Sequence, residues 1–145
     1  MYRTIVVGTD CSPTADNAVA KAAELAKAVG ATVHVVSAYS EPAGSLVASG
    51  VGQATPPSWA ASEVEDRQGR LNATAEHLRS MGINALARVE RGDASTTLVA
   101  VAQEVEADLI VVGDRGLKGL RGLLGSVPSS VTRRAPIDVL VVHTS

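Results

Sequence analysis

Apolar positions along this chain fall into two patterns. Short, nearly unbroken runs occur at Thr4-Ile5-Val6-Val7, Thr32 to Ala38, Asn84 to Val89, Asp108-Leu109-Ile110-Val111-Val112 and Ile137 to His143. Continuous rather than alternating apolar character marks strands buried on both faces, the habit of a parallel sheet. Between the runs, apolar residues recur at steps of three and four. The first set is Ala15, Ala18, Val19, Ala22, Leu25, Ala26 and Val29; the second is Val64, Leu71, Ala75 and Leu78 within residues 59–81; the third is Leu98, Val99, Val101, Ala102 and Val105 within residues 95–105. These are amphipathic helices. Asp10 or Ser12 can cap the first, with Pro13 in its first turn, while Gly30 and Gly82 stop the first and second. A short fourth helix is predicted from Val127, capped by Ser126, with Pro128 in its first turn and Arg133 and Arg134 near its negative end. The order is β-α-β-α-β-α-β-α-β, an α/β fold with one parallel sheet covered on both faces. A single domain over residues 1–145 is expected, with right-handed crossovers.

Two segments depart from this rhythm. Residues 39–58 carry Pro42, Gly44, Gly50, Gly52, Pro56 and Pro57, which predicts a long loop, either a lid over a ligand or a plain connection. The other follows the fourth strand and reads Gly-Asp-Arg-Gly-Leu-Lys-Gly-Leu-Arg-Gly-Leu-Leu-Gly-Ser from Gly113 to Ser126. Strand, glycine loop and helix N-terminus in succession aim unpaired N–H groups and a positive dipole end at one spot, where phosphate is the expected guest. No lysine stands in the G-x-x-x-x-G-K-[ST] arrangement, so contact would come from backbone N–H groups and the Ser126 hydroxyl, with Arg115, Lys118 and Arg121 nearby. A methyl group at Gly113 would then stand in the ligand's path without touching the core. The alternative is a simple crossing between strand and helix.

Gly8-Thr9-Asp10 is the second place where a buried strand meets a small polar loop. Ligands of such sheets sit outside the carboxyl ends of the strands, where the winding reverses. If strands one and four are neighbours there, Gly8-Thr9-Asp10 and Gly113-Asp114-Arg115-Gly116 face each other across one crevice. Asp10 is then a base or metal contact, a role compatible with helix capping.

Composition narrows the partners. The apolar fraction is 46% with no Phe, one Trp and two Tyr, leaving little for stacking on exposed bases, and 13 basic against 15 acidic residues give a net charge of −2. No footprint for nucleic acid or an anionic membrane results. No apolar stretch approaches the ~18 residues of a membrane span. The start of the chain moves into a strand without a signal-peptide pattern, so a cytoplasmic protein is expected. Cys11 is the only cysteine, which excludes an internal disulfide; at a helix N-terminus it is a candidate for a stabilised, redox-sensing thiolate, or simply a small turn residue. His34, His77 and His143 lack partners at metal-ligand spacing.

Gly8-Thr9-Asp10, Gly113-x-x-Gly116, Gly125-Ser126-Val127 and the final Asp138-Val139-Leu140-Val141-Val142 together resemble the universal stress protein family over essentially the whole chain. The resemblance implies a flavodoxin-like sheet of order 3-2-1-4-5, akin to adenine nucleotide alpha hydrolase-like domains. One branch of the family binds ATP through G-x-x-G, nine residues, then G-[ST]. On that basis the cofactor is ATP, or alternatively AMP, ADP or cyclic AMP, with Mg²⁺ entering only on the nucleotide. Gly8, Thr9, Asp10 and the backbone at Ala38 would meet the adenine side; Val112 and Gly113 the ribose; and Arg115, Gly116, Gly125, Ser126 and Val127 the phosphates. Here only eight residues separate Gly116 from Gly125, and Cys11 stands where a glycine often follows the aspartate. A tighter loop favours fewer phosphates.

The resemblance also implies a homodimer pairing last strands through Ile137, Val139, Leu140, Val141 and Val142, and a regulatory role toward an unnamed protein partner in stress response. A family member that only dimerises is the alternative. No G-x-S-x-G elbow or nucleophile–base pair is present. Slow ATP hydrolysis at a bound triphosphate is the enzymatic rival, without an assignable base; the H-x-G-H and S-G-G-x-D-S motifs of related nucleotide enzymes are absent.

Overall fold

The structure is a computed structural model that describes residues 1–39, 58–114 and 127–144, with side chains from residue 61 onward in the second stretch. Its strands are β1 (Thr4–Gly8), β2 (Thr32–Tyr39), β3 (Ala85–Arg91), β4 (Leu109–Gly113) and β5 (Asp138–Val142). The helices are α1 (Pro13–Val29), α2 (Ser58–Ser80), α3 (Ala94–Glu104) and α4 (Val127–Arg134). All strand pairs are parallel, in the order β3-β2-β1-β4-β5. Strand β1 sits at the centre, with Ile5 opposite both Val33 and Leu109.

Burial on two faces explains the continuous apolar runs. Ile5, Val7, Val33, Val35, Leu109 and Val111 face one cluster, where Ala18, Ala22 and Ala26 of α1 and Leu71, Ala75 and Leu78 of α2 close over the sheet. Val6, Val36, Ile110 and Val112 face the other, under Leu98, Val101 and Ala102 of α3 and Val131 of α4. Each fully buried Val or Leu contributes about 1.5–3 kcal/mol, against about 1 kcal/mol for a helix cap. The core therefore sets which strands are central, and the caps trim helix ends.

Local chemistry fixes those ends. Ser12, extended at φ −83° and ψ 160°, caps α1 by accepting from the Ala15 N–H at 3.2 Å, and Gly30 ends the helix at φ 77°. Asp10 is not the cap: its Oδ1 accepts from the Ser12 N–H at 2.9 Å, one turn too early to reach the helix. Strand β3 runs two residues past the apolar pattern, because its ladder with β2 continues to Tyr39 opposite Arg91. Charged Glu90 and Arg91 are tolerated there since β3 is an edge. Only Gly92, at φ 138°, and Asp93 remain before α3; Asp93 caps it through the Thr96 N–H at 2.9 Å.

The last strand is only partly buried. Strand β5 is covered unevenly: Val142 is 7% exposed and joins the α1/α2 core, while Ile137, which precedes the strand, and Val139 pack beneath α3 and α4. Of its apolar residues, Leu140 and Val141 are the ones substantially exposed, at 39% and 42%. Strand β5 has one neighbour, β4, so its other edge is open within the described chain.

Candidate functional site

Strands β1 and β4 are adjacent and the connections leave them in opposite directions, which opens a crevice at their carboxyl ends. The crevice is a shallow cleft open to solvent, lined by residues of three strands and three helix starts. Gly8, Thr9, Asp10, Ala38, Val112, Gly113 and Val127, singled out from the sequence, all line it. Arg115, Gly116, Lys118, Arg121, Gly125 and Ser126 lie outside the described residues, as does the 40–57 segment considered as a lid.

One wall is apolar. Val36 and Ala38 project from β2, Val112 from β4 and Leu98 from α3. A Cβ at Gly8 would come within 2.7 Å of Leu98 Cδ1, so glycine at the end of β1 lets α3 approach the sheet and form that wall. The opposite side is polar: Thr9, Asp10, Ser12 and Thr14 supply hydroxyls and a carboxylate. Helices α1, α3 and α4 all bring their first turns to this rim, through Ser12 and Thr14, Ala94, and Val127. Their N-terminal dipole ends add in one place and favour an anion.

The turn between β1 and α1 is wound tightly. The Thr9 N–H donates to the Val36 carbonyl at 2.9 Å, prolonging the β1–β2 ladder. Thr9 Oγ1 accepts from the Cys11 N–H at 3.0 Å, and Asp10 accepts from Ser12. This holds Cys11 at φ 66°, the left-handed region in which glycine is comfortable. Burial raises the Cys11 thiol above its ordinary pKa, with Arg67 and then Arg70 pulling weakly the other way. The stabilised thiolate considered from the sequence is thus corrected: desolvation of the half-buried sulfur outweighs the positive field.

At the far side of the crevice, Asp114 follows Gly113 and organises the segment after β5. Its Oδ1 accepts from the Thr144 N–H at 3.0 Å and the Thr144 hydroxyl at 2.6 Å, and its Oδ2 meets His143 Nδ1 at 2.8 Å. These bonds hold its carboxyl at about 2, with the Thr144 hydroxyl the largest cause and the Thr144 amide next. Thr144 also lines the crevice, and a Cβ at Gly113 would stand 2.8 Å from Thr144 Cγ2. The view that a methyl at Gly113 touches nothing but ligand is therefore incorrect, because Thr144, 4% exposed, already occupies that space.

Sequence reasoning missed Val36, Leu98 and Thr144 as lining residues. Val36 was within reach, since it precedes Ala38 by two and shares its face of β2. Leu98 and Thr144 carried no local signal, because distant elements bring them to the site.

A doubly wound parallel α/β domain with a ligand crevice at its switch point is the class that fold and site define. Residues 1–143 match the model of the universal stress protein family. Over 156 aligned residues the chain is 38% identical to universal stress protein Rv1636 of Mycobacterium tuberculosis (strain ATCC 25618 / H37Rv), covering 99% of this chain and 98% of that protein. The chain belongs to the universal stress protein family. Among solved structures, a universal stress protein in complex with cAMP is 34% identical, with a TM-score of 0.73 over 99% of this chain and 98% of that one. The universal stress protein from Archaeoglobus fulgidus in complex with dAMP is 26% identical, with a TM-score of 0.67 over 97% of each chain.

Proposed function

We propose that the crevice between β1 and β4 binds an adenine nucleotide and that the chain acts as a regulatory module in stress response. The observation that carries this reading is convergence. Residues from the ends of β1, β2 and β4 and from the start of α4 meet at one cleft with an apolar wall for a base and three helix N-termini for an anion. In this reading Gly8, Thr9, Asp10 and Ala38 meet adenine, Val112 and Gly113 flank the ribose, and Arg115, Gly116, Gly125, Ser126 and Val127 hold phosphate. The eight-residue spacing from Gly116 to Gly125, and relatives complexed with cAMP and dAMP, favour a single phosphate over ATP. Mg²⁺ would enter only with a polyphosphate.

Titration calorimetry with ATP, ADP, AMP and cyclic AMP tests the proposal. Saturable heat is expected, strongest for a monophosphate; no heat with any of the four rejects it. The chain works in this reading as one domain in the cytoplasm; no helix among its described residues is long and apolar enough to cross a membrane. It forms a homodimer along β5, whose free edge carries exposed Leu140 and Val141. By contrast, edge strand β3 carries Arg88 and Glu90, with Arg88 paired to both Glu90 and Glu104, the charged dressing of an edge that stays in water.

A further inference from the structure

The segment after β5 is held more firmly than a connection on the surface needs. Besides its two bonds to Asp114, Thr144 accepts a bond at its carbonyl from Asn17 Nδ2 of α1 at 3.2 Å. Asp114 is fixed in turn, since its own N–H donates to the Val142 carbonyl at 2.8 Å and its second oxygen faces His143. A β-branched side chain has few staggered positions. With Oγ1 committed to Asp114 at 2.6 Å, the methyl has nowhere else to go, and it rests against Gly113 at the floor of the crevice.

We propose that Thr144 is a positioning residue of the nucleotide site, latched by Asp114 and Asn17, and that residue 113 is glycine in order to seat the Thr144 methyl rather than to admit the ligand. The inference rests on the nucleotide reading above. Its physical content is that Thr144 packs on Gly113 and lines the crevice at once, so its placement sets the shape of the cleft where β4 ends. Among the described residues, position 113 has no other close neighbour: after the methyl at 2.8 Å, the next atoms are Thr144 Oγ1 at 3.8 Å and Ala18 Cβ at 3.9 Å. Of these residues, an alanine at 113 would displace Thr144.

That single contact makes the test sharp. AMP and cyclic AMP are titrated into wild type, Asp114→Ala, Thr144→Val, their double variant, Gly113→Ala, and Gly113→Ala combined with Thr144→Ser, with thermal melts and Thr144 amide exchange followed alongside. Thr144→Val keeps the shape and loses the hydroxyl; Thr144→Ser keeps the hydroxyl and loses the methyl. Loss of a charge-assisted bond should weaken binding about tenfold or more in Asp114→Ala and Thr144→Val. Two residues acting as one latch are non-additive, so the double variant should bind within about twofold of the weaker single. Gly113→Ala should bind poorly, and Thr144→Ser should restore most of the affinity in that background. Failure of this rescue in a folded protein would show that the added methyl blocks the ligand itself and would overturn the proposal. So would wild-type affinity in both latch variants. If wild type binds no nucleotide, the underlying reading falls and takes the proposal with it, a result distinct from binding that ignores the latch.

Discussion

At Cys11, a position beside the crevice that is not glycine in this chain, glycine should be more stabilising than alanine. Its φ of 66° is imposed from both sides, by Thr9 Oγ1 on its own N–H and by Asp10 on the next one. A left-handed conformation costs an L-residue about 1–2 kcal/mol through the Cβ, which glycine lacks. Glycine gives back roughly 0.5–1 kcal/mol in chain entropy. Comparing Cys11→Gly with Cys11→Ala cancels the thiol's packing, since both variants lose it. The difference is about 0.5–1 kcal/mol in favour of glycine, the reverse of the usual order. For a chain of this size that is a melting temperature about 1–4 °C higher for the glycine variant. Urea denaturation with matched m-values, repeated thermally, measures it. An alanine variant as stable as the glycine variant, or more so, would mean that the turn carries no strain at residue 11.

Alkylation of the Cys11 thiol by iodoacetamide should rise with pH through an inflection above the ordinary thiol value of about 8.5, because burial raises its pKa; an inflection below that value would restore the thiolate sensor. Asp114 is held at about 2 in the folded chain, below the ~3.9 of an unfolded aspartate. The folded state therefore binds this proton less readily, so the stabilisation is complete above about pH 4 and lost as pH falls toward 2. Asp114→Asn should accordingly lose less stability than wild type between those pH values in urea titrations, and an equal loss would refute the assignment. Ser12→Ala removes the cap of α1 and should cost about 1 kcal/mol; a change within error would show that Asp10 or water takes over the Ala15 N–H. Val141→Pro places a residue without an N–H in β5, and light scattering should report monomer or aggregate in place of the dimer proposed for wild type. A well-behaved wild-type monomer at tens of micromolar would reject the β5 interface.

The alternation of strand and helix, the two buried faces of the sheet, and the glycine and proline positions that punctuate it were legible in the residues themselves. So were Gly8, Thr9, Asp10, Ala38, Val112, Gly113 and Val127 as neighbours in one crevice, once the resemblance supplied the strand order. Periodicity, capping and turn chemistry act within a few residues, and a linear sequence displays them directly. The tertiary structure decided what depends on neighbours far along the chain. Strand β3 ends where its ladder with β2 ends, at Arg91, rather than where apolar residues stop. Ser12 caps α1 and Asp10 does not, because the turn's geometry aims the Asp10 carboxylate at the Ser12 N–H. In β5 Val142 is buried while Leu140 and Val141, on opposite faces, both stay exposed, because β5 is the edge of the sheet. Gly113 looked like a residue making room for a ligand, but the space above it belongs to Thr144, which lies 31 positions later by residue number. A glycine's sequence shows that a side chain is missing; only packing shows whose side chain takes the room, because close contact in a dense interior is settled by whatever the fold carries there.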